Sequence, residues 1–301
     1  MFDIVGKRPV FFAISAVLVA GSVIALLVLG LNPGIDFSSG SITTLSFEQA
    51  VEPTEAEEEL AALGFSGRID EWQGDLVIHT IQLTAEEKIS LREGLEEKFG
   101  PAEEMGFESV DPVIAEETAG TAGIAVAVSA VGILLYLTWA FRRMPRPLHY
   151  GACAIIALIH DVVIVLGVFA ILGGIFGWEI NLMFITGILA VIGYSVNNTV
   201  VVFDRIRENL QRGVSPDFEV VINHSLVETM SRSLNTSLTT LVVVMALVLF
   251  VGVSIQNFAV VLLIGVIAGT YSSLFVAPQL LAVWHKGKWR GFVQGPTLTT
   301  R

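Results

Sequence analysis

The sequence is short of the groups that most soluble proteins use. It has one cysteine, Cys153, so no internal disulfide is available and thiol redox chemistry is not expected. Only 15% of its 301 residues are charged, against about 25% in an ordinary soluble domain. It also lacks the H-E-x-x-H, G-x-S-x-G and phosphate-cradling glycine patterns that mark common enzyme classes. These shortages exclude a cytosolic enzyme, a disulfide scaffold and a disordered chain. What is abundant is apolar: 53% of the residues are hydrophobic and the mean hydropathy is +0.71.

Charge is distributed unevenly. Residues 32–118 carry 21 Asp and Glu against four Lys and Arg, a net −17, while the rest of the chain is +5, which together give the overall −12. An acidic soluble block is therefore inserted into a mildly basic, apolar protein. An acidic surface of this size repels phosphates, which argues against nucleic-acid binding.

Six apolar runs, at about 10–31, 119–141, 148–176, 180–203, 234–253 and 258–284, are each long enough to cross a bilayer as a helix. The basic clusters Lys7/Arg8, Arg142/Arg143/Arg146, Arg205/Arg207/Arg212/Arg232 and Lys286/Lys288/Arg290 fall in alternate connections. The positive-inside rule then puts both termini in the cytoplasm and the acidic block outside. The first run is too long for an ordinary signal core and lacks a small-x-small cleavage site, so it is expected to be an uncleaved helix. The expected organisation is a cytoplasmic N-terminus and first span over 1–31, an exterior domain over 32–118, five further spans over 119–285 and a cytoplasmic tail over 286–301.

Within the acidic block, strand-like and helix-like patterns alternate. Residues 41–47, 65–72, 76–83 and 103–110 read as strands, with a Gln73-Gly74-Asp75 turn between the second and third. Residues 54–63 and 84–99 read as helices, each opened by a capping box: Thr54 with Glu57, and Thr84 with Glu87. The order βαββαβ is that of an α+β ferredoxin-like unit. Its acidity fits a solvated surface, or a docking face for basic segments of a passing chain. His79 stands without a second His or Cys nearby, so no metal site is expected.

Polar groups at membrane depth are the functional candidates, because each is costly in lipid. The third span carries His160 and Asp161. The fourth contains Gly193, Tyr194, Ser195, Asn197, Asn198 and Thr199 before ending at Asp204-Arg205, and the fifth opens with Arg232. Asp161 and Arg232 read as functional, and His160 either shares that role or orients Asp161. Ser233, Thr236 and Thr239 fit interhelical hydrogen bonding, and Gly187, Ala190, Gly193 and Asn197 form a small-residue stripe suited to close packing. Asp204, Arg205 and Arg207 also fit ordinary helix-end charges. A polar cluster formed by these spans would suit ion or proton passage.

The residues resemble the SecF family, the smaller half of the bacterial SecD–SecF export accessory complex within the resistance–nodulation–division (RND) class. The likeness is carried by Gly34-Ile35-Asp36-Phe37-Ser38-Ser39-Gly40, by Ala157-Leu158-Ile159-His160-Asp161-Val162, by the run from Gly193 to Asn209, and by Ser231-Arg232-Ser233. It implies an RND-type half unit of six transmembrane helices in the bacterial plasma membrane, without a cofactor. The implied partners are SecD, the SecYEG channel, an exported unfolded polypeptide, membrane lipid and, as a further candidate, YajC. It further implies an ion path in the bundle driven by the proton or sodium gradient, with Asp161, Asn198, Arg232, His160 and Asp204 along it. Gly34, Asp36, Gly40, Gly193, Ser195, Asn197, Thr199 and Arg205 would serve as motif residues. One departure stands out: the family's span-four Asp is Asn198 here. An amide has no titratable proton, so conduction at that point would be impaired or rerouted. The rival readings are another RND-type half transporter for a lipid or small molecule, an intramembrane aspartyl enzyme using Asp36 and Asp161, and a structural scaffold.

Overall fold

The structure, a computed structural model, describes residues 3–72, 74–250 and 252–285. Gln73 and the expected cytoplasmic tail with Lys286, Lys288 and Arg290 lie outside the described residues. In chain order the elements are α1 (Arg8–Leu29), β1 (Asn32–Pro33), α2 (Ile35–Ser38), β2 (Gly40–Phe47), α3 (Pro53–Ala62), β3 (Gly67–Trp72), β4 (Asp75–Thr80), α4 (Ala85–Phe99), β5 (Ala102–Val110) and α5 (Pro112–Ala140). They continue with α6 (Pro147–Phe176), β6 (Glu179–Ile180), α7 (Leu182–Arg212), α8 (Phe218–Phe250), α9 (Val253–Phe275) and α10 (Ala277–His285). Two compact units result: Pro33–Ile124, and Met1–Asn32 together with Ala125–Arg301.

The smaller unit is built on an antiparallel sheet in the order β3-β4-β2-β5. Ser41 lies opposite Thr80, Gly40 opposite Val110, and Gly67 opposite Thr80 across the β3–β4 hairpin. The side-chain period of two puts Leu45, Ile69, Leu76 and Ile78 on one face, where Ala56 and Leu60 of α3 and Leu91 and Leu95 of α4 cover them. The element order is the βαββαβ expected from the sequence.

The two helix starts differ. At α4, Thr84 and Glu87 form the expected reciprocal capping box, and Gly100, at φ +94°, ends the helix. At α3 the expected Thr54 cap is absent: Glu52 is the N-cap without a side-chain bond, and Pro53 supplies the first turn. Proline suits that position because its missing N–H has no partner there in any helix. Glu57 is thereby released, and its carboxylate accepts a 3.0 Å hydrogen bond from the Ile69 amide of β3.

Among the described residues, six helices are long and apolar enough to cross a membrane. The sixth is divided into α9 and α10 at Val276, two residues before Pro278, where proline cannot donate to the preceding turn. Two helices outrun their apolar segments. α7 continues to Arg212 and α8 begins at Phe218, whereas hydropathy ends the fourth span near 203 and begins the fifth near 234. Polar pairing extends them: Arg205 and Asn209 of α7 both donate to Glu228 of α8 at 2.7 Å.

Glycines let the helices of the bundle approach. A Cβ on Gly167 of α6 would lie 2.3 Å from the Cβ of Ser22 on α1, and one on Gly265 of α9 would lie 2.0 Å from Val191 on α7. Phe169, Phe184, Ile188, Val191 and Val261 fill the core between α6, α7 and α9.

Candidate functional site

The same close approach assembles a polar centre inside the bundle. A Cβ on Gly269 of α9 would lie 2.9 Å from the Cβ of Ser195 on α7. With α7 and α9 this near, Ser195 and Ser272 both reach Asp161 on α6. Their hydroxyls donate to the same oxygen, Oδ2, at 2.6 and 2.7 Å. The other oxygen, Oδ1, is 3.0 Å from His160 Nδ1. Asp161 is 1% exposed and both serines are buried.

His160 is buried as well, and its Nε2 has no hydrogen-bond partner among the described residues. Its ring stacks on Tyr271, with centroids 6.0 Å apart and planes 23° apart. Tyr271 is tied in turn to α1: its hydroxyl donates to the Phe11 carbonyl at 2.7 Å and accepts from Ser15 at 3.3 Å. Four helices therefore fix the orientation of one carboxyl–imidazole pair.

The pair sets one carboxyl group against one imidazole inside the bundle. Three polar side chains meet the carboxyl group, and among the described residues the titratable one bonded to it is the adjacent imidazole. Among the described residues no group of three or more His, Cys, Asp or Glu is arranged to hold a metal.

The remaining candidates fall in several places. Asn198 is buried one turn along α7 from the centre, with its Nδ2 unpartnered among the described residues. Thr199 donates to the Ser195 carbonyl at 3.1 Å and locks the local turn. Arg232 is not brought to Asp161: it is exposed on α8 and makes no ion pair or hydrogen bond with a described residue. Asp204 pairs with Arg207, and Arg205 with Glu208 and Glu228, at the α7–α8 end. Of the small-residue stripe only Gly187 packs within the chain, against Val261, while Ala190, Gly193 and Asn197 are exposed. Gly34 precedes α2 as its N-cap, Asp36 lies in the first turn of α2, and Gly40 starts β2 at φ +134°. These three belong to the smaller unit and not to the bundle centre.

Sequence reading missed Ser272 and Tyr271, because single polar residues in an apolar run look like tolerated exceptions. The available signal was spacing: Gly265, Gly269 and Ser272 recur at one-turn intervals on α9.

Comparison with known proteins identifies the family. Residues 91–287 match the family model "Protein export membrane protein SecD/SecF, C-terminal", and residues 24–51 match "SecD/SecF GG Motif". The chain is 39% identical to protein translocase subunit SecF of Anaerolinea thermophila over 97% of each chain. It is 41% identical to that of Thermobaculum terrenum over 95% of this chain and 94% of the relative. The crystal structure of SecDF, a translocon-associated membrane protein from Thermus thermophilus, superposes with a TM-score of 0.84 at 32% identity. That match covers 95% of this chain but only 39% of the SecDF chain. The chain is a multi-pass membrane protein and belongs to the SecD/SecF family.

Proposed function

We propose that the chain acts in protein export as the SecF half of a SecD–SecF pair, storing and passing protons through the Asp161–His160 centre. The observation that carries the proton role is the three-sided hydrogen bonding of a fully buried Asp161. Asn198 lacks a titratable proton, and Asp161 is the buried acid one turn away along the bundle. The ion route is rerouted through Asp161 on this reading, and Asn198 is left as an uncharged polar residue.

The need for SecD is supported by two outward-facing features. Arg232 is an exposed cation on a membrane helix, and a charge there calls for a partner. Ala190, Gly193 and Asn197 present a small-residue face on α7 that this chain leaves uncovered, the kind of surface on which membrane helices pack. The SecDF relative of Bacillus subtilis, 32% identical over 95% of this chain, is a longer protein of which the match covers 38%.

The acidic block 32–118 is placed outside and both termini inside, on the distribution of basic residues. SecYEG and the exported polypeptide are the remaining partners in this scheme. The test is export in vesicles holding SecYEG, SecD and this chain. An imposed proton gradient should speed release of the exported polypeptide, and omission of the chain should remove that gain. Equal release with and without the chain would reject the role.

A further inference from the structure

Three basic side chains gather where α5 turns into α6 and α10 ends. Arg146 is the N-cap of α6, and its carbonyl accepts from the His149 amide at 3.0 Å. His149, in the first turn of α6, stacks its ring on Trp284 of α10, with centroids 4.8 Å apart and planes 20° apart. His285 follows Trp284 and sets its ring 4.1 Å from that of Phe218 at the start of α8. Among the described residues the charges acting on the two imidazoles are all basic: Arg146 acts on both, and His149 acts on His285. Arg146 is exposed, and its guanidinium makes no ion pair or hydrogen bond with a described residue. The acids flanking Phe218 are engaged elsewhere. Glu219 pairs with Arg8 at 2.6 Å, and Asp217 accepts from the Glu219 amide at 2.9 Å.

The backbone of Arg146 lies at φ +55° and ψ 62°, in the left-handed region, and the next residue is Pro147. Proline drives the residue before it toward extended backbone, so this position is strained for two reasons. Glycine would make the same turn freely, and the turn alone therefore does not account for an arginine. Strain of this kind collects at ligand sites. The same loop carries Arg142 and Arg143, both exposed, and the Arg142 guanidinium lies 4.5 Å over the ring of Trp139. Trp139 is 62% exposed at the end of the apolar helix α5, and Trp284 lies in the last turn of α10. Tryptophan at the ends of membrane spans marks the level of the lipid headgroups.

We propose that Arg146, His149 and His285 form a binding site for the phosphate of an anionic phospholipid, at the end of the bundle where α5 meets α6. A guanidinium offers phosphate two parallel N–H donors, and each imidazole adds an N–H of its own. The headgroup supplies the negative charge that no described residue gives to Arg146. A headgroup with net negative charge, such as phosphatidylglycerol, is favoured here. A zwitterionic one would bring its ammonium into a patch that is already basic. Trp139 and Trp284 put the site at headgroup depth, which selects a lipid over a soluble phosphate. The site is separate from the Asp161 centre and does not depend on the proton role.

Native mass spectrometry of the full chain in detergent, titrated with dioleoyl phosphatidylglycerol, tests the site. One phosphatidylglycerol should bind about tenfold tighter than dioleoyl phosphatidylcholine, and excess inorganic phosphate should not displace it. Equal affinity for the two lipids would overturn the proposal, and displacement by phosphate would overturn the lipid as the ligand. Arg146→Gly should lower the affinity for phosphatidylglycerol about fivefold, the weight of one basic residue at a lipid surface. It should also keep the thermal midpoint of the lipid-free chain at or above that of the unmodified chain, because glycine suits the left-handed backbone. The double substitution His149→Gln/His285→Gln leaves that backbone alone and should weaken binding as well. Unchanged affinity in either variant would overturn the site. Arg143→Gln, which removes a charge from the same loop, should leave the affinity within about twofold. A loss there equal to that in Arg146→Gly would mean diffuse attraction to a basic loop, and would overturn the site.

Discussion

Gly269 and Ser195 approach so closely that a side chain on the glycine would begin 2.9 Å from the serine's Cβ. That approach brings Ser195 and Ser272 onto the same oxygen of Asp161. Gly269→Val should push α9 from α7 and separate Ser272 from the carboxylate. Overpacking of this kind typically costs about 1–3 kcal/mol. The expected outcome is a lower thermal midpoint for the detergent-solubilised chain, with loss of proton flux in vesicles. Unaltered stability and flux would show that the approach is dispensable.

The smaller unit carries a pH-dependent contact on its sheet. Burial works against the charge of Asp70, but the hydrogen bond from His79 and the guanidinium of Arg68 outweigh it and hold the carboxyl below its ordinary value of 3.8. A folded-state value below the unfolded one gives stability that is present above the unfolded pKa and lost as pH falls through the folded one. Protection of the β3–β4 amides against hydrogen exchange should therefore decline below about pH 4, and Asp70→Asn should remove the part of that decline due to this residue. Asp70 is 43% exposed at its side chain, so solvent screening limits the effect to well under about 1 kcal/mol.

Ser39 has φ +63° and ψ 164°, a backbone region that glycine alone adopts freely. The segment matching the family's GG motif, residues 24–51, contains no adjacent glycines, and Ser39 precedes Gly40 at φ +134°. Ser39→Gly should relieve strain of about 1 kcal/mol and raise the thermal midpoint of the smaller unit. A fall in the midpoint would mean that the serine side chain compensates for its backbone.

How much of this was legible in the sequence depended on the kind of signal. The six apolar runs, the Thr84–Glu87 cap and the strand alternation around Leu45 and Ile78 are local patterns, and each leads to its element. The ends of α7 and α8 were not legible, because the pairing of Arg205 and Asn209 with Glu228 is tertiary and hydropathy counts those residues as loop. Thr54 lost its cap to Pro53 for a related reason: two start signals overlapped, and the one that fixes φ prevailed. In the bundle, His160 and Asp161 stood out because charge in an apolar run is conspicuous. Ser272 did not, and the outward direction of Arg232 was invisible until the face of α8 was known.

Arg232 is the charge best placed to meet a partner. Arg232→Ala should leave the fold of the isolated chain intact, since Arg232 is exposed and makes no ion pair or hydrogen bond with a described residue. It should abolish gradient-driven stimulation of export in vesicles with SecD. Rescue by Arg232→Lys would point to charge alone, whereas failure of lysine would point to the planar, bidentate geometry of arginine. Full gradient-driven export in Arg232→Ala would count against the role.

On the proposed function, Asp161 and not position 198 carries the exchangeable proton in this chain. The most direct measurement is proton uptake by vesicles containing the chain with SecD, comparing the unmodified chain with Asp161→Asn, which keeps the shape of the side chain and removes its charge. Co-purification with SecD verifies assembly of both. A drop of at least tenfold in Asp161→Asn is the predicted result, and equal uptake by the two assembled complexes would contradict it.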